Sequence, residues 1–150
     1  MGAAFHRPAT LDDATRLFEV RRRSILELAP PVMSVADAEA WARQVTPAGM
    51  ERKLCELEIW IAELDDVIAG WGAIRGDVLE GLYTAPEYAG QGVGAALLDR
   101  LEGLMRGRGV DAVRAEASSN AKAFYLGRGY RETGPRTPVG AWPIAKQLLA

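Results

Sequence analysis

Cysteine, histidine and long apolar runs are all scarce in this 150-residue chain, and each scarcity removes a class of protein. Cysteine occurs once, at Cys55, so no internal disulfide can form and no Cys-based metal spacing exists, which fits a reducing compartment. His6 is the one histidine, leaving a metal centre or a His-dependent catalytic triad without support. No segment approaches the ~20 apolar residues that cross a bilayer. The opening MGAAFHRPAT lacks the apolar core of a signal peptide, and His6 stands where N-myristoylation would require Ser or Thr. The expectation is a cytoplasmic protein with no metal and no membrane partner.

An excess of either charge is also missing. Eighteen basic against 20 acidic side chains give a net charge of −2, which argues against a nucleic-acid partner, since coating a polyanion needs many Lys and Arg. The charge is uneven, however: residues 1–90 are acidic on balance and residues 91–150 basic, so affinity for an anion, and a small one, belongs to the last third. With 49% hydrophobic and 25% charged residues the chain is of ordinary globular composition. It contains no repeat and no linker, so residues 1–150 read as one domain.

Local patterns predict an alternation of elements. A short strand over Ala4 to Arg7 precedes a helix opened by the capping signal Thr10-Leu-Asp-Asp13 and running to Leu28. Ser34-Val-Ala-Asp37 repeats that signal ahead of Ala38, Trp41, Ala42 and Val45, and weaker helical character spans Ala48 to Leu57. The apolar period then drops to two over Glu58–Glu63, Val67–Ile74 and Val78–Thr84, with turns at Asp65-Asp66 and Gly76-Asp77: an antiparallel meander. An amphipathic helix follows over Ala95 to Met105, then a strand over Val110–Ala117, a short helix over Asn120–Leu126, and extended pieces at Tyr130 and Ala141–Leu149. The order βαα, ββ, βαβ, αββ specifies an α+β fold with one crossover.

The segment Tyr83-Thr-Ala-Pro-Glu-Tyr-Ala-Gly-Gln-Gly-Val-Gly-Ala-Ala-Leu-Leu98 runs from strand through a glycine-rich turn into a helix, where backbone N–H groups can cradle a phosphate. A tight turn needing glycine only for its backbone angles is the plain alternative. Gly90-x-Gly92-x-x-Ala95, with Glu116 about twenty residues on, formally fits a dinucleotide fingerprint, but that fold needs several βα units and here the loop follows a meander. A phosphate-binding P-loop is excluded, because no Gly-Lys-Ser/Thr follows.

Pro86-Glu-Tyr-Ala-Gly-Gln-Gly-Val-Gly-Ala-Ala-Leu-Leu98 resembles the acyl-CoA loop of the GCN5-related N-acetyltransferases, Arg/Gln-x-x-Gly-x-Gly/Ala, with Gly92 and Gly94 matching. Some 25 residues on, Ala117-Ser-Ser-Asn-Ala-Lys-Ala-Phe-Tyr-Leu-Gly-Arg-Gly-Tyr130 resembles the second family signature, Asn-x-x-Ala-x-x-Phe-Tyr-x-x-x-Gly-Phe/Tyr. The likeness extends back through the meander to Arg7-Pro-Ala-Thr-Leu-Asp-Asp13 and so covers most of the chain. It implies a mixed, mostly antiparallel sheet flanked by helices, whose central strands splay to bind acyl-CoA. One position departs from the pattern: Ala89 stands where Arg or Gln is usual, which bears on cofactor affinity, with Gln91, Arg100 or Arg128 as candidates to compensate.

On this resemblance acetyl-CoA is the co-substrate and no metal is needed. Backbone groups of Leu82, Tyr83 and Thr84 would bond the pantetheine arm, the amides of Gln91, Gly92, Val93, Gly94 and Ala95 the pyrophosphate, and Asn120 the arm again, unless Asn120 only caps a helix. Tyr125 matches the family's general acid, a phenol still protonated at neutral pH and able to donate to a thiolate, the alternative being simple packing. A primary alkylamine is neutral in only about one molecule in 10³ at pH 7, so a base is expected. Glu80 shares one face with Leu82 and Thr84 if the strand alternates, and Glu116 is the other candidate. Arg21-Arg22-Arg23 reads as a solvated face, Cys55 as a small buried hydrophobe or an exposed acyl-accepting thiol, and Trp41, Trp60 and Trp71 as core or pocket wall. The expected activity is direct acetyl transfer to a primary amine of a small molecule or peptide, the acidic N-terminal half favouring a cationic acceptor. A non-catalytic acyl-CoA sensor is the alternative function. The oligomeric state is open, a homodimer included.

Overall fold

A computed structural model describes residues 5–149. Its first elements are fixed by short-range polar contacts. Strand β1 (Phe5–Pro8) delivers Arg7, whose guanidinium forks onto both oxygens of Asp13 at 2.8 and 2.9 Å and reaches Glu63 at 2.6 Å. Asp13 also accepts from the Thr10 amide at 2.8 Å. A single 3₁₀ turn at Leu11–Asp13 then leads into α1 (Ala14–Leu28). Of the strand predicted over Ala4 to Arg7, Ala4 lies outside the described residues.

Ser34 accepts from the Asp37 amide to cap α2 (Val35–Ala42), and Thr46 does the same for Gly49 at the head of α3 (Pro47–Glu56). The third helix is therefore a separate element with its own cap and an N-terminal proline, where the sequence carried only weak helical character.

The meander folds as expected into β2 (Glu58–Leu64), β3 (Val67–Arg75) and β4 (Val78–Thr84). The crossover helix α4 (Val93–Gly107) begins two residues earlier than the sequence suggested, because its first turn is built from the glycine loop itself. Strand β5 (Ala112–Ala117), the one-turn helix α5 (Lys122–Leu126), β6 (Arg131–Glu132) and β7 (Trp142–Gln147) complete the order.

The strands form one sheet in the order β1-β2-β3-β4-β5-β7-β6, antiparallel except where β4 meets β5. Helix α4 packs Leu97, Leu98, Leu101 and Met105 onto one face, each at most 1% exposed and each contributing about 1.5–3 kcal/mol of burial. Helices α1 and α3 cover the other face through Leu17, Val20 and Met50 over Ile59, Ile61 and Trp71, whose indole donates to Leu17 O at 3.0 Å. No described helix is long and apolar enough to cross a membrane.

Two irregularities shape the centre. The parallel ladder between β4 and β5 lasts only for Val78–Arg114 and Leu79–Ala115, after which the strands part. In the same place β4 carries an extra residue: Leu79 pairs with Ile74 and Gly81 with Ala73, leaving Glu80 unpaired as a β-bulge. The bulge slips the alternation by one, so that Leu79 and Leu82, three apart, both join the core beneath α4. The expectation that Glu80 shares a face with Leu82 and Thr84 is thereby corrected: Glu80 turns to the side covered by α1–α3.

Candidate active site

Where β4 and β5 diverge, a cleft opens whose walls are the bare edges of both strands. β4 remains hydrogen-bonded to β3 as far as Thr84, and β5 stays with β7 through Ala117, so each is satisfied on its outer side only. Backbone groups alternate between the two edges of a strand: the Ala85 amide bonds Ala69 O and Tyr83 pairs with Trp71, so Tyr83 turns its backbone to β3, against expectation, while the groups of Leu82 and Thr84 face the cleft with no strand partner. The cavity here measures about 640 Å³. Residues 79–83, Glu116, Ala117 and Ser118 line it along the strands, Tyr125 from α5, and Arg21, Trp41 and Lys53 from the three N-terminal helices.

The glycine loop lies beyond the far end of β4. Gly90 and Gly92 sit at φ of +76° and +84°, in the left-handed region that side chains with a Cβ enter at a cost, and Gly92 caps α4 from that conformation. The first helical bond runs from the Ala96 amide to Gly92 O, and among the described residues no carbonyl accepts from the amides of Gln91, Gly92, Val93, Gly94 or Ala95. These five donors are exposed or half-buried except at Val93, and they carry the positive end of the α4 dipole. A Cβ on Gly94 would stand 3.3 Å from Thr84 Oγ1 and 3.8 Å from Phe124 Cζ, so this turn adjoins both the end of β4 and α5.

The candidates to offset Ala89 divide. Arg100 turns away onto His6 Nδ1 at 3.4 Å and the Trp60 ring, and Gln91 spends its amide on Glu87 O at 3.2 Å. Arg128 stays on the α5 side, holding Asp99 at 3.0 Å with its guanidinium 5.9 Å from the Phe124 ring.

Tyr125 is 7% exposed, packed edge-on between Phe124 and Tyr130 at centroid distances of 5.2 and 5.3 Å. Among the described residues its side chain makes no hydrogen bond, and the residue borders the cavity. Burial, and secondarily the nearby Tyr83 phenol, pushes its pKa well above the ordinary phenol value, so it stays protonated at neutral pH. Behind it Tyr130 donates to the buried Glu102 at 2.8 Å, and Lys146 reaches the other Glu102 oxygen at 2.7 Å, a network that fixes the ring beside Tyr125.

Asn120 lies in the turn before α5 and accepts from Ser118 Oγ at 2.7 Å. It does not cap the helix: Ala121 occupies the cap, and α5 starts at Lys122. The turn over 118–121 is closed by Ser118 O, which accepts from Ala121 and Lys122, and this delays the helix by two residues. Asn120 and residues 91–95 stand outside the cavity walls.

Glu80, a quarter exposed, holds Arg75 at 3.4 Å and faces the cavity, whereas Glu116 lines it from an exposed position on β5. Cys55 is exposed on α3 and absent from the walls. Trp71 belongs to the core and Trp41 to the wall.

One wall residue was misjudged from sequence. Arg21 is not on a solvated face but 4% exposed, donating to Tyr83 Oη at 3.3 Å, Ala42 O at 3.0 Å and Trp41 O at 3.3 Å. The signal was its place four residues from both Leu17 and Ile25, on the apolar row of α1.

Comparison with known proteins agrees with this geometry. Residues 29–140 match the sequence profile of the acetyltransferase (GNAT) domain family. A GCN5-related N-acetyltransferase from Rhodopseudomonas palustris is 29% identical with a TM-score of 0.90, over 98% of this chain and 97% of that one. The PaiA N-acetyltransferase of Thermoplasma acidophilum, solved with coenzyme A, is 21% identical with a TM-score of 0.81, over 97% and 99%. YncA of Salmonella typhimurium, a putative acetyltransferase solved with acetyl-CoA, is 20% identical with a TM-score of 0.67, over 98% and 95%. No curated protein matches the chain. With three quarters of its length inside the family profile, a split sheet, and a glycine-built helix start beside it, the chain belongs to the GNAT acetyltransferases, and its activity is acetyl transfer.

Proposed function

We propose that residues 1–150 act as one transferase domain that carries acetyl from acetyl-CoA directly to a primary amine while both substrates are bound. The observation that carries this reading is the cleft beyond Leu79, where a bare strand edge, a cavity and a protonated Tyr125 adjoin. An extended pantetheine arm has amide donors and acceptors at the spacing of a strand and fits the unpaired backbone groups of Leu82 and Thr84. The amides of Gln91 to Ala95 suit the pyrophosphate, and the side chain of Asn120, in the turn between β5 and α5, would bond the arm. Coenzyme A in the PaiA structure and acetyl-CoA in the YncA structure support the same co-substrate here.

In the reaction the neutral amine adds its lone pair to the thioester carbonyl carbon. The C–S bond then breaks, and the departing sulfur takes the proton of the Tyr125 hydroxyl. The amine's surplus proton leaves to a carboxylate, for which Glu80 and Glu116 both border the cavity, or to water. Tyr125 is afterwards reprotonated from solvent. Direct transfer is favoured because Cys55, the obvious nucleophile, is absent from the cavity walls.

The test is Tyr125→Phe, read by thiol release from acetyl-CoA and by calorimetry with coenzyme A. Turnover should fall at least about 10²-fold with cofactor affinity kept. A wild-type protein that binds acetyl-CoA yet acetylates no amine would instead be an acyl-CoA sensor.

A further inference from the structure

We infer that the acceptor is an amine that also carries a carboxylate, held by Arg21 with help from Lys53. The inference rests on the transferase reading and names the substrate class of the same site.

The other well-paired arginines hold carboxylates: Arg7 with Asp13 and Glu63, Arg23 with Glu87, Arg108 with Glu58, Arg114 with Asp77, Arg128 with Asp99. Arg21 is the most deeply buried of them and, among the described residues, has no carboxylate within ion-pair distance. Its three hydrogen bonds go to neutral oxygens. Two are carbonyls at the C-terminal end of α2, whose dipole offsets part of the charge, and the third is the Tyr83 hydroxyl. A guanidinium has five N–H donors, so two are unspent, and Arg21 borders the cavity. A cation taken out of water without an anion is costly, and an anion arriving from the cavity would relieve that cost. Tyr83 adds to the effect: accepting from Arg21 leaves its own O–H proton free to donate.

Lys53, half-buried on α3, lines the same cavity and has no carboxylate partner among the described residues. The charges thus divide by wall. The unpaired cations, Arg21 and Lys53, stand on the helices; on the strands Arg114 also lines the cavity but is spent on Asp77, leaving Glu80, which touches Arg75 at 3.4 Å, and Glu116 as the carboxylates near the bare backbone. That is the complement of a zwitterion, with the ammonium toward the strands, where it must lose its proton, and the carboxylate toward the helices. Trp41, Val45 and Val139 provide apolar wall for a carbon skeleton. The sign is opposite to that suggested by the acidic N-terminal half, because net charge counts side chains that face solvent elsewhere.

The experiment compares leucine, phenylalanine and glutamate with their primary amides, and putrescine as a purely cationic amine, in thiol release from acetyl-CoA. The amide of an amino acid has the less basic amine, so intrinsic reactivity works against the expected result. In the wild type at least one carboxylate acceptor should exceed its amide in kcat/KM by about tenfold to a hundredfold. Arg21→Gln should bring that ratio to within about threefold while KM for acetyl-CoA stays unchanged, and Arg21→Lys should recover part of it. A purely structural arginine would change stability without changing the ratio. If Arg21→Gln does not fold, the wild-type ratio decides alone. Wild-type preference for amides or for putrescine overturns the inference and leaves the transferase standing. If no amine turns over although acetyl-CoA binds, the transferase reading fails. Calorimetry of the amino carboxylates on the coenzyme A complex then judges Arg21 separately: binding lost in Arg21→Gln supports it, and no binding overturns it.

Discussion

A phenol that is to protonate a leaving thiolate must keep its proton until the carbon–sulfur bond breaks. Tyr125 meets that condition through burial against Phe124 and Tyr130 at the border of the cavity. The sign has a kinetic consequence. Raising pH converts an amine acceptor to its reactive free base, and the depressed acidity of Tyr125 would keep the proposed donor protonated across that range. The pH profile of kcat/KM should therefore climb and show no descending limb before about pH 10. A fall near pH 8 would assign the proton to another group. Glu80→Gln and Glu116→Gln separate the base candidates: the one that accepts the amine proton loses about 10²-fold in kcat and the other changes little. Positions were legible in sequence where a motif carried them, as with Gly92 at the head of α4 and Tyr125 on the cavity wall. Arg21 was misread because a run of three arginines outweighed its place on the apolar row of α1, and its partners, the carbonyls at the end of α2 and the Tyr83 hydroxyl, are brought to it only by tertiary packing.

At the scale of elements, the caps and turns were readable because each is a contact over three or four residues, as at Thr10-Asp13, Ser34-Asp37 and the Asp65-Asp66 turn, where both residues take positive φ. The bulge at Glu80 was not, because an extra residue in β4 is defined only against β3, which an unpaired sequence does not display. The Arg7–Asp13 contact joins β1 to α1, and it gives acid sensitivity. Hydrogen bonds from Arg7, opposed by partial burial, hold Asp13 down to about 2 from an ordinary 3.8. A carboxyl depressed in the folded state stabilises above its unfolded value and loses that contribution as pH falls toward the folded one. Asp13→Asn should therefore cost about 2 kcal/mol at pH 7 by denaturant titration, shrinking between pH 4 and pH 2.

Close approach of elements makes a second prediction. A Cβ on Gly70 would lie 2.8 Å from Tyr83 O, a backbone atom of β4 that cannot step aside, and 3.0 Å from Val93. Gly70→Ala should destabilise by about 1–3 kcal/mol, lowering Tm by some 2–4 °C for each.

Across the whole molecule, the sheet is two sheets held by a short seam. Four strands, β1 to β4, stand on one side and β5, β7 and β6 on the other, and only two residue pairs of β4 and β5 bind them edge to edge. The sequence showed all the strands but not where the ladder stops, since that depends on how β5 leans once β7 has claimed its other edge. Helix α4 spans the seam, with Leu97 packed on the first group and Met105 on the second. A molecule that binds the folded state alone raises stability by RT ln(1 + [L]/Kd), about 2.7 kcal/mol at a hundredfold excess over Kd. Coenzyme A at that excess should raise Tm by several degrees, and a protein whose Tm ignores it would not use this cleft.

An arm lying along both bare edges would act as a splint across a fracture, supplying rungs that the polypeptide leaves out. Without it, the seam is the line along which the molecule should first breathe. Deuterium uptake at the amides of β4 and β5 beyond Leu79 should then outpace that of β2 and β3, and slow when the splint is in place.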